Sequence, residues 1–154
     1  MAGNRLKLCA IFFILLCEVV GCRHKMKSGN DLSDADLQYI QSLGLLQKNE
    51  HIISFDTQGG GFNPVKTSGN FYTDKRIAAN WTDNKKADVN FAYYKDIDSI
   101  TTKDLSPSLT SASYAVIYIN DDKQFKVYVD GDSLKVNRLF KAINANWLKG
   151  NSAK

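Results

Sequence analysis

The sequence predicts a mainly β domain, an antiparallel sandwich or barrel of about seven strands, with a short helix before the strands and an amphipathic helix after them. Three observations predict it. Between His51 and Gly131 apolar residues recur at every second position, in short runs broken by clusters of Gly, Pro, Asn and Asp. Beyond Asp132 the period becomes helical, and Val136, Leu139, Phe140, Ile143 and Trp147 fall on one face. So many short strands cannot leave two open edges and a bare apolar face, so they must curl or stack.

The N-terminus reads as a separate unit. Arg5 and Lys7 precede an apolar run from Leu8 to Cys17, and "EVVGC" ends at Cys22. The run is too short to span a bilayer, which takes about 20 residues; residues 1–21 are expected to be a secretory signal peptide. "VVGC" (Val19 to Cys22) resembles the lipobox of bacterial lipoproteins, with Glu18 as a departure from the usual pattern. The resemblance implies lipidation of Cys22 and an anchored protein in the bacterial cell envelope. Because "CRHKM" carries no acidic run after the cysteine, the protein is expected to face the periplasm. Cys9 and Cys17 lie in the removable segment, so the mature chain has no internal disulfide to form and its lone thiol calls for a role. An ordinary cleaved signal with an idle cysteine is the other reading. Residues 22–31, polar and basic, are expected to be a tether; a plain solvated linker is the preferred reading, and Arg and Lys set against anionic lipid headgroups the other.

The domain proper is expected over residues 32–150. In "LSDADLQYIQSLGLL" (Leu32 to Leu46), Ser33 can cap a helix, Asp34 and Asp36 suit its first turn, and Gly44 can end it. The strand core follows over 51–131. It opens with "HIISFDTQ", and the Gly59–Pro64 break leads to a strand with Val65, Thr67, Gly69 and Phe71 on one face. After "TDKR" (Thr73 to Arg76), Ile77, Ala79 and Trp81 resume the alternation. "TDNKKAD" turns into Val89, Phe91 and Tyr93, and "IDSITTKDL" runs to the break at Pro107. "SYAVIYIN" is apolar on both faces, as a covered strand is, and "QFKVYVD" alternates again. Residues 132–149 form the last helix, capped by Asp132 or Ser133 and closed by Gly150, its Phe140 and Trp147 face plugging one end of the strands. Residues 151–154 are a tail.

Two motifs then resemble one family, the bacterial pleckstrin-homology-like (PH-like) domains. One is the hairpin Gly69, Phe71, Thr73, Arg76, Ile77; the other is "YKDIDSI", with Tyr94, Asp96, Ile97 and Ile100. Strand count and terminal helix follow the same order from about Glu50 to Lys149. The resemblance implies a seven-stranded barrel with a C-terminal helix, used for binding and not for chemistry.

The charge excludes some partners. A net charge of +4 with acids and bases interspersed is not the footprint of a nucleic-acid binder. Around the loop from Asp56 to Lys66 only Lys66 is basic, so no phosphoinositide pocket is expected. His24 and His51 stand without partners at metal-ligand spacing, "GGG" (Gly59 to Gly61) lacks the Lys-Ser/Thr of a phosphate loop, and "DGD" lacks the remaining calcium ligands. No catalytic residue, cofactor or metal is expected.

The polar knot Thr73 to Arg76 has two readings: an anion site built from Lys75 and Arg76, or a tight hairpin turn in which Arg76 pairs with Asp74 or Asp96. The turn is preferred, because such residues suit turns and exposed charge pairs are common. Tyr72 and Tyr94 are the expected outward aromatic anchors, with Phe71, Trp81 and Tyr93 in the core. The functional expectation is a lipid-anchored module that binds a protein or peptide. An immunity-type lipoprotein that neutralises a toxin is a second reading, and a hydrolase with an unrecognised site a third.

Overall fold

The computed structural model describes residues 26–58, 64–83, 86–108, 110–120 and 123–152. The segment expected to be a signal peptide, Cys22, His24 and Gly59–Gly61 lie outside the described residues. Among the described residues seven antiparallel strands form two sheets: β1 (Ile52–Asp56), β2 (Ser68–Thr73), β3 (Arg76–Asp83) and β4 (Lys86–Tyr93), then β5 (Ile97–Lys103), β6 (Ser113–Ile119) and β7 (Lys123–Val129). Each sheet is a simple meander in chain order, and the two do not close into a barrel. The strands are therefore stacked, and the closed form of the expectation is corrected.

The first sheet is covered on both faces, and every residue of β2 is buried. On its inner face Tyr72, Ile77 and Ala92 meet Ala115, Ile117, Val127 and Val129 of the second sheet, with Val136, Leu139, Phe140 and Ile143 of the terminal helix. On its outer face Phe55, Phe71 and Ala78 pack under Leu32, Ile40, Leu45 and Leu46. Burial of this kind stabilises by about 25 cal/mol per Å² of apolar surface, which explains why a central strand carries apolar residues on both sides.

The N-terminal cover is helix α1 (Asp34–Ser42). Ser33 Oγ accepts from the Asp36 N–H at 3.2 Å, and the Asp36 carboxylate accepts from the Ser33 N–H, a reciprocal capping box. The helix stops four residues short of Leu46: Gly44, at φ +74°, sends its N–H to Gln41 O while the Leu45 N–H reaches Ile40 O. That left-handed turn swings Leu45 and Leu46 into the core. Part of the segment read as tether also docks, since Lys27 exchanges two backbone hydrogen bonds with Phe55 on the edge of β1, at 2.9 and 2.7 Å. This contact covers an otherwise open strand edge.

Two local expectations are corrected. Residues Pro64–Thr67 form a helical turn, α2, not the start of a strand; Pro64 has no N–H to give a ladder and its fixed φ suits a first helical position. Gly150 does not close the terminal helix α3 (Ser133–Asn151) but lies within it. A Cβ at Gly150 would come within 2.6 Å of Tyr94 Cβ, so glycine there permits close packing of the helix on the chain after β4. Asp132 caps α3 through the Lys135 N–H at 2.9 Å. Phe140 is buried and Trp147 half-buried, its Nε1–H donating to Ile97 O at 3.1 Å. Among the described residues no helix is long and apolar enough to cross a membrane.

Candidate functional site

The knot is a hairpin turn. Asp74 and Lys75 connect β2 to β3, and Thr73 Oγ1 accepts from the N–H groups of both Lys75 and Arg76 at 3.0 Å. The same hydroxyl donates to Glu50 Oε1 at 2.6 Å. Arg76 is only 1% exposed, and its partner is Glu50, not Asp74 or Asp96: Nε donates to Oε1 at 2.8 Å. Its Nη2 donates to the Tyr93 hydroxyl at 3.1 Å, and the guanidinium lies 4.4 Å from the Tyr93 ring and 4.9 Å from that of Phe91. A guanidinium so engaged has no face left for an external anion. Lys75 stays exposed, with Nζ 3.3 Å from Asn49 O.

The two tyrosines read as outward anchors point inward instead, Tyr72 being 6% and Tyr94 3% exposed. Tyr72 sits on a strand covered from both sides. Tyr94 follows Ala92 by two residues and so keeps the inner face of β4, where the chain passes into a helical turn, Tyr94–Asp96; Phe91 and Tyr93, opposite Ala78 and Arg76, take the outer face. Its hydroxyl donates to Thr73 O at 2.9 Å, and burial pushes the phenol well above its ordinary pKa. The inverse holds for Trp81, expected in the core, which is 49% exposed.

Trp81 lines a cleft. A space of about 550 Å³ opens between the inner face of β3 and β4 and the outer edge of β7, where the two sheets diverge. Ala79, Trp81, Phe125 and Tyr128 supply its apolar walls, and Gln58, Asn70, Asn90, Gln124, Asp88 and Lys126 its polar ones. The edge of β7 is capped at one end by side chains of the other sheet. Asn70 Oδ1 accepts from the Tyr128 N–H at 2.9 Å, and Asp56 Oδ2 from the Asp130 N–H at 3.2 Å. Strand geometry turns backbone groups of alternate residues the same way, so those of Lys126 and Gln124 also point away from β6, toward the cleft. Asp56 is further held by Lys135 Nζ at 2.8 Å, yet burial outweighs that partner and raises its carboxyl above the usual range.

This site offers an aromatic face, several amides and a stretch of strand edge, which are groups for recognition. Sequence alternation placed Trp81 correctly on the inner face, but periodicity does not report that the sheets part there. Among the described residues no group of three or more His, Cys, Asp or Glu side chains is placed to hold a metal ion. No family model, no curated protein and no solved structure matches the chain.

Proposed function

We propose that the chain is a non-catalytic binding module with a PH-like fold, held at the bacterial cell envelope through lipid on Cys22, that takes an extended peptide of a partner protein into the cleft beside Trp81. The observation that carries the reading is the edge of β7. It is capped by Asn70 and Asp56 at Tyr128 and Asp130, and its next outward-facing positions, Lys126 and Gln124, open onto the cleft under a half-exposed indole. A peptide strand added there gains main-chain hydrogen bonds from the edge and side-chain contact with Trp81. The PH-like part rests on the hairpin and "YKDIDSI" motifs, with four strands, three strands and a terminal helix in that order. Periplasmic exposure rests on the Cys22 lipobox and the residues after it.

The test is selection of binders from a random dodecapeptide display library on the full-length protein. Selected peptides are expected to bind in extended form and to shift the amide signals of Gln124 and Lys126. Peptides that bind equally well to a Trp81→Ala variant of unchanged stability contradict the reading.

A further inference from the structure

A second groove lies on the other side of β1, and we propose that it binds a small carboxylate carried on an apolar tail. It has a volume of about 260 Å³ and runs between β1, the segment from Met26 to Asp31 and one face of α3. Two hydroxyls define its floor. Ser54 and Tyr72 are register partners on β1 and β2 and so share the inner face, and each is 6% exposed. Ser54 Oγ is buried and makes no hydrogen bond. The Tyr72 hydroxyl makes none among the described residues either, and burial raises its pKa, so it stays protonated. A buried hydroxyl left unpaired is destabilising, and Ser54 Oγ in that state, with the Tyr72 hydroxyl beside it, points to an acceptor that is supplied from outside.

The charge of the walls selects that acceptor. Arg138 and Lys27 bring two positive charges and Asp31, whose Oδ2 accepts from Ser28 N–H and Oγ–H, brings one negative. Among the described lining residues the net is one positive charge, which matches a monoanion better than a dianionic phosphate. A carboxylate also has the planar pair of oxygens that a guanidinium binds with two parallel hydrogen bonds. The remaining walls, among them Met26, Ile53, Leu139 and Ala142, are apolar and suit a short branched chain. The same chemistry is offered by a free short-chain carboxylate and by the C-terminus of a peptide. The groove shares no residue with the Trp81 cleft, so it stands whether or not that cleft binds peptide.

The experiment is an NMR titration of the full-length protein with isovalerate, with N-acetyl-Gly-Val, and with the same dipeptide as its C-terminal amide. Saturable shifts at Ser54, Tyr72 and Arg138 are expected with at least one of the acids and not with the amide. Tighter binding of the dipeptide acid assigns the site to peptide termini, and tighter binding of isovalerate to free carboxylates. Arg138→Gln should weaken binding roughly tenfold, as loss of a charge-assisted hydrogen bond does. Tyr72→Phe and Ser54→Ala should each weaken it several-fold, with Ser54→Ala keeping or raising thermal stability because an unpaired buried hydroxyl is removed. Absence of saturable binding by both acids, equal binding of acid and amide, or displacement by equimolar inorganic phosphate overturns the proposal.

Discussion

Arg76 shows most clearly what one residue decides. It joins the hairpin, the outer face of β4 and the chain after α1 through one buried guanidinium, and Glu50 answers it with side-chain exposure of 0%. Removing one partner of a buried pair leaves the other charged and unsolvated, which costs about 3–5 kcal/mol. Arg76→Ala and Glu50→Ala should therefore each lower the unfolding free energy by about that amount, and the double variant should cost less than the sum. Additive losses in chemical denaturation would show that the two do not act as a pair. Lys75→Ala, by contrast, should change stability by less than about 0.5 kcal/mol. The turn itself was legible, since Thr, Asp and Lys announce it. Glu50 was not, because a glutamate in a loop before the first strand carries no local mark of burial. Asp56 gives a pH test. Its folded pKa lies above the unfolded one, so the native state holds that proton more tightly and the charged form is the costly one. Its contribution to stability should rise as pH falls through the raised value toward about 3.9, the ordinary value for aspartate, and be lowest above that window. A carboxyl titration midpoint at or below the ordinary value would contradict this.

At the scale of elements the strands and both long helices were legible, because their signals are local. Ser33 and Asp36 cap α1 as their spacing implies, and Asp132 caps α3. Ser33→Ala should cost about 1 kcal/mol, and Gly44→Ala about 1–2 kcal/mol through its left-handed backbone at φ +74°. Both are read from thermal melts, and stability equal to wild type for Gly44→Ala would show the turn relaxing to another conformation. In α3 the pair Phe140 and Trp147 separates by burial. Phe140→Ala should cost about 3–5 kcal/mol, and Trp147→Ala less, since its ring is only half-buried. What remained illegible was the short helix at Pro64–Thr67 and the role of Gly150. Each depends on a contact across the fold, Val65 entering the outer core and Gly150 lying against Tyr94.

For the whole molecule, periodicity gave seven strands but not their division into two sheets. A run such as Ser68 to Thr73, buried throughout, reads as a covered strand without saying what covers it. The cover is α1 and the residues after it on one side and the second sheet on the other, and the divergence of those sheets creates the cleft. Anchoring belongs to the same scale: Cys22→Ser should leave an unprocessed precursor without lipid label, and normal labelling of that variant would end the lipoprotein reading. The central claim is recognition of a peptide at the Trp81 cleft. Its most direct measurement is the dissociation constant of a selected peptide for the wild-type protein and for Trp81→Ala, with thermal stability followed in parallel. Loss of an aromatic anchor predicts weakening of roughly thirtyfold or more, about 2 kcal/mol, with an unchanged melting temperature. An unchanged dissociation constant would contradict the claim.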